Sequence, residues 1–281
     1  MGFMKDIIKR SITGIVIVFL IISSLVINEY TFFLLFALIL LGSLWEFYSI
    51  FEKIGKYPQK IVGLFDGILI FLLFFFISAG YIHNKILFLV PIIIIFILIF
   101  ELFRNKTYPF ENIAITILGL VYIALPISLL WDIAYRENIY KYNYHLIFAY
   151  FLLIWTYDSM AYVVGSLIGK HKLFERISPK KSWEGLIGGF IFALIIAFII
   201  SKFYTELSLK QWFLFTLLIV IFGTLGDLIE SKTSYAPILL FFMGSILFII
   251  PLFIGFFIDL KKCRKKAREI EKKILFDNSN A

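Results

Sequence analysis

Stretches such as "FFLLFALILLG" and "ILFLVPIIIIFILIF" constrain this chain more than any other feature, because they are apolar around their whole circumference. Runs of about 18 or more such residues match the thickness of a bilayer core, where every backbone amide and carbonyl must be satisfied within the segment. A transmembrane barrel strand would instead alternate apolar and polar residues over short segments. The predicted fold class is therefore all-α: a polytopic integral membrane helical bundle. Hydrophobic residues make up 61% of the 281, aromatics 19% and charged residues only 16%, with a mean hydropathy of +0.95, which excludes a soluble globular domain.

At about 20 residues per crossing, about nine transmembrane helices are expected, near 11–28, 31–50, 61–80, 86–103, 112–131, 146–167, 185–201, 212–230 and 237–258. With the N-terminus inside, most loop lysines and arginines fall on the cytoplasmic side, as the positive-inside tendency requires. The Trp- and Tyr-rich stretch "WDIAYRENIYKYNYH" then forms an outer interfacial belt. One feature resists: nine crossings leave the basic tail "KKCRKKAREIEKK" outside, unless the ninth segment, interrupted by Pro237, Gly244, Pro251 and Gly255, is re-entrant. The first apolar run reads as a retained span rather than a cleaved signal, and the N-terminus lacks the hydroxyl residue of a myristoylation site. Cys263, the single cysteine, permits no intramolecular disulfide.

Ionisable residues inside a span cost about 2.5–3.5 kcal/mol at the helix centre on insertion scales, so each calls for a reason. Glu46, Asp66, Asp158, Asp227 and Glu230 are the ones predicted to lie there, all toward the inner half, which points to a cytoplasm-facing polar cavity. Gly223, Asp227 and Glu230 share a helix face at i, i+4 and i+7, an arrangement suited to a divalent cation. Ala161, Gly165 and Gly169 form a small-residue stripe along which another helix can approach closely. In "ISPKKSWEGLIGG", Pro179 marks "RISPK" as a loop and Ser182 is placed to cap the next helix. Lys180 and Lys181 then stand beside a helix N-terminus, where free amides and the positive dipole end favour a phosphate.

The segment "ISPKKSWEG" followed by "IGG" closely resembles the signature of phosphatidate cytidylyltransferases, also called CDP-diacylglycerol synthases. "YDSMAYVVGSLIGKHKL" and "LGDLIES" resemble the family elements before and after it, in the family's order. The resemblance implies an integral membrane enzyme that transfers CMP from CTP to phosphatidate in phospholipid synthesis, releasing pyrophosphate with Mg2+ as cofactor. It makes Asp158, Lys181 and Asp227 the catalytic candidates. Ser178, Lys180, Lys181 and Glu184 become candidates for nucleotide or phosphate contact, and Asp158, Asp227 and Glu230 candidates for the metal. It further implies N-terminal transmembrane helices over 1–145, a catalytic core over 146–258, a basic tail over 259–281, and a bacterial inner-membrane location with the active face cytoplasmic. Membrane lipid is a partner, nucleic acid is not expected, and a homodimer is open.

After "GDLIES" the chain runs directly into "KTSYAPILLFF", where the family continues into a polar loop carrying basic, acidic and Pro-Gly-His-Gly-Gly elements. The three histidines, His83, His145 and His171, all precede that point. Two alternatives follow: a catalytically impaired paralogue that binds lipid or a partner, and a polyprenol-type lipid kinase sharing the nucleotide-binding core. A re-entrant ninth segment would return Asp259 to the cytoplasmic face as a substitute carboxylate.

Overall fold

The computed structural model describes residues 2–135, 142–176 and 178–232, with the side chains of 2–13 and of a few later positions outside that description. Helices α1 (Gly2–Ile27), α2 (Glu29–Lys53), α3 (Lys60–Ser78), α4 (Val90–Leu102), α5 (Pro109–Gly119), α6 (Leu125–Ala134), α7 (His145–Ile168), α8 (Trp183–Phe203) and α9 (Leu209–Lys232) make up nearly all of it. Among the described residues, seven stretches are long and apolar enough to cross a membrane, and Gly14–Ile27 adds a shorter apolar one. They coincide with the first eight predicted spans to within a few residues. The ninth, 237–258, lies outside the described residues, as do Asp259, Cys263 and the tail.

Two departures from the sequence reading have local causes. The predicted 112–131 helix is one continuous stretch, Pro109–Ala134, but its middle is a π turn, Leu120–Ala124, just ahead of Pro126. Proline has no amide to donate and its ring crowds the preceding turn, so the wider turn accommodates it within the helix. The "RISPK" loop is instead part of an antiparallel hairpin, β1 (Lys172–Phe174) with β2 (Ser178–Ser182). Pro179 fits there because a strand at the margin of a two-stranded sheet has amides that need no ladder partner.

Helix boundaries follow from caps. Asn28 and Thr31 form a capping box that starts α2, the Asn28 carboxamide oxygen accepting from the Thr31 amide at 2.8 Å. Gly55, at φ +78°, makes the turn that ends α2, and Pro109 occupies the first turn of α5, where its missing amide costs nothing.

The N-terminal bundle packs around Trp131, which is fully buried with Phe32 and Phe75 rings at 4.7 Å in edge contacts. Tyr48 lies between two helices that approach closely through Gly63 and Gly119, and its hydroxyl donates to the Thr116 carbonyl at 2.9 Å. A polar network closes one end. Glu101, 4% exposed, accepts from Gln59 at 2.7 Å, Asn112 at 3.1 Å and Arg104 at 2.7 Å, so its charge is paired and hydrogen-bonded as burial requires. Asp66, 2% exposed with Oδ2 unpartnered, also belongs to this bundle: its neighbour Gly67 abuts α2 and the π turn. Glu46 likewise keeps a buried, unpartnered Oε2 on α2. Asp66 therefore sits on the part of α3 that packs against α2 and the π turn.

At the opposite end of α7, His145 pairs with Glu206 in the α8–α9 connection, and the Tyr204 ring stacks on the imidazole at 4.3 Å. Burial opposes the Glu206 charge. Hydrogen bonds from His145, its own backbone and Asn143 outweigh that and hold the carboxyl below its ordinary range.

Candidate active site

Among the described residues α7 and α8 pack together most extensively, and small residues make it possible. A Cβ on Gly185 would lie 2.7 Å from the Ala161 carbonyl oxygen, and one on Gly189 would lie 2.7 Å from that of Tyr157. The predicted stripe of Ala161, Gly165 and Gly169 is thus matched by glycines on the facing helix, as in close intramembrane crossings generally. The β1–β2 hairpin bridges the two helices, and α9 packs against both.

Ser182 ends β2 and caps α8, its Oγ accepting from the Gly185 amide at 3.2 Å, as the sequence predicts. Ser178 and Ser182 are buried, and Lys181 between them is half-buried. The predicted basic segment is therefore joined without a break to the capped helix start. Tyr157 of α7 and Thr224 of α9 share a hydroxyl–hydroxyl hydrogen bond, and Thr224 also donates to the Val220 carbonyl at 2.7 Å. Asp158 follows Tyr157 by one residue and Asp227 follows Thr224 by three. At 1.5 Å of rise per residue the two positions differ by about 3 Å in height along their helices. Asp158 is exposed; the side chains of Lys180, Asp227 and Glu230 lie outside the described residues.

Glu184 turns toward its own chain. Its carboxylate accepts from the His171 amide at 3.2 Å and from the His171 imidazole at 2.6 Å, while the Trp183 amide donates to the His171 carbonyl at 2.9 Å. His171 was absent from the predicted site. No local pattern announces it, since it lies 13 residues before Glu184 and meets it only because the hairpin closes.

Among the described residues no three metal-ligating side chains converge. Mg2+ characteristically takes one or two carboxylates and completes its shell with water and substrate phosphate. The exposed Asp158 carboxylate, about 3 Å in height from the Asp227 position, fits that manner of binding.

These features describe a membrane protein whose polar groups gather where α7, α8, α9 and a basic hairpin meet. The profile of the cytidylyltransferase family matches residues 8–233, and the chain belongs to that family. The match stops two residues after "GDLIES". The phosphatidate cytidylyltransferase of Staphylococcus haemolyticus is 31% identical over 226 residues, covering 79% of this chain and 83% of the relative. That of Bacillus subtilis is 29% identical over 238 residues, 81% of this chain and 84% of its own.

Proposed function

We propose that this chain is a phosphatidate cytidylyltransferase, acting at the cytoplasmic face of a bacterial inner membrane. A phosphate oxygen of phosphatidate attacks the α-phosphorus of CTP, the α–β anhydride bond breaks, and pyrophosphate leaves with CDP-diacylglycerol as product. The observation that carries the reading is the unbroken path from the lysine-bearing strand β2, through the Ser182 cap, into α8 and against the Asp158 face of α7.

Two anionic reactants must meet, so the chain has to supply positive charge. Lys180 and Lys181 hold the polyphosphate beside the first amides of α8, where the helix dipole adds to their attraction. Ser178 supports that strand from its buried face. Asp158 and Asp227, with Glu230 on the next turn, hold Mg2+, which offsets phosphate repulsion and polarises the phosphoryl group. The apolar flanks keep the diacyl chains in lipid while the headgroup reaches the hairpin.

Purified protein with CTP, phosphatidate and Mg2+ tests the proposal. CDP-diacylglycerol and pyrophosphate should form in equal amounts, and Asp158→Asn should remove turnover without disturbing membrane insertion. The abrupt end of the family match favours one competing reading, an impaired paralogue. Retained CTP binding without product from either phosphatidate or an isoprenoid alcohol would select it.

A further inference from the structure

We infer that His171 is a positioning residue for this reaction: through Glu184 it clamps the base of the β1–β2 hairpin and so presents Lys180 and Lys181 to the substrate phosphates. The inference rests on the proposed transferase reading of the same site. Three hydrogen bonds join residue 171 to the start of α8. The amide and Nδ1 of His171 donate to the Glu184 carboxylate at 3.2 and 2.6 Å, and its carbonyl accepts from the Trp183 amide at 2.9 Å. A carboxylate only accepts, so Nδ1 carries the proton in this contact. The imidazole itself is 80% exposed, so it contributes little packing, and its tie to the chain is the single Nδ1 bond to that carboxylate.

The position of the clamp gives it consequence. His171 precedes β1 and Glu184 follows β2, so their contact closes the loop that contains both lysines. The register pairs Lys172 with Ser182, next to the clamp, and Ser182 caps α8. Freed of it, the strand end and the helix start lose their common reference. The lysines would then sample many positions, and binding a polyphosphate would have to order them first. Loss of His171 therefore weakens nucleotide binding more than it slows the chemical step.

His171→Ala, His171→Asn, Glu184→Ala and the double variant His171→Ala/Glu184→Ala separate this role from a general structural one. His171→Ala should raise the CTP dissociation constant and KM by about tenfold, the loss of a charge-assisted hydrogen bond, with kcat and the unfolding midpoint near those of the parent. Asparagine places an N–H where Nδ1 stood, and His171→Asn should recover most of the affinity. In the Glu184→Ala background, His171→Ala should add little. Unchanged affinity in His171→Ala, additive losses in the double variant, or a fall in kcat and midpoint together would each overturn the clamp. With three histidines in the chain, 15N spectra give a readout independent of turnover: an Nδ1-protonated His171 in the parent that is lost in Glu184→Ala. If the parent turns over no CTP, the functional reading fails, and an His171 without that Nδ1–H signal overturns the clamp on its own terms.

Discussion

Replacing Gly185 by alanine adds one methyl group where α8 meets the backbone of α7, and the structure gives the size of the effect. The new Cβ would lie 2.7 Å from the Ala161 carbonyl oxygen and 3.1 Å from both the Gly165 Cα and the Ser182 Oγ. Ordinary contact begins near 3.4 Å, so α8 must move about 0.7 Å from α7 or both helices must bend. The obstacle is backbone, which cannot rotate out of the way. Overpacking of this kind costs about 1–3 kcal/mol, against a helix-propensity gain for alanine of about 1 kcal/mol. At Gly42 on α2 nothing lies within 4 Å of an added Cβ, so Gly42→Ala takes the propensity gain without the clash. Thermal unfolding in detergent should therefore place Gly185→Ala below Gly42→Ala by roughly 2–8 °C. Turnover should fall further than stability, because a shift approaching 1 Å at a catalytic group can cost about a hundredfold. A Gly185→Ala protein as stable and as active as Gly42→Ala would refute the close-approach argument.

Glu101→Ala should destabilise by about 3–5 kcal/mol, since it leaves the Arg104 charge and two buried amides without their shared acceptor; chemical denaturation would measure it, and a loss under 1 kcal/mol would contradict the network's role. Glu206, held below its ordinary carboxyl value of 4.5, contributes stability that is fully present above that pH and is lost as pH falls through its lower folded value. Unfolding midpoints across an acid series should show that limb in the parent and a flatter one in Glu206→Gln. Lys181→Gln should weaken CTP binding at least tenfold at fixed salt, with the loss shrinking as ionic strength rises. An affinity equal to the parent's would return Lys181 to a general membrane-surface role.

Local regularities were legible in the chain before any fold. The spans follow from apolar length, the Ser182 cap from a hydroxyl before "WEG", and the α7 stripe from small residues at helical spacing, because each is decided within a few neighbouring residues. The basic strand beside a helix start was legible for the same reason, although its extended conformation was not, since Pro179 is compatible with a loop and a marginal strand alike. The intramembrane acids show the limit. Charge in a span announces that a partner is needed but not which helix supplies it, so Asp66 and Asp158 look equivalent in sequence and belong to different packing groups in the fold. Tyr157 with Thr224 and His171 with Glu184 were invisible, being contacts between residues 67 and 13 positions apart. The amino-acid sequence by itself determined that the chain lives in a membrane as helices and carries a basic segment just ahead of a capped helix start. Tertiary structure alone decided that Glu184 faces a histidine, because a hydrogen bond depends on where atoms sit after the hairpin has closed.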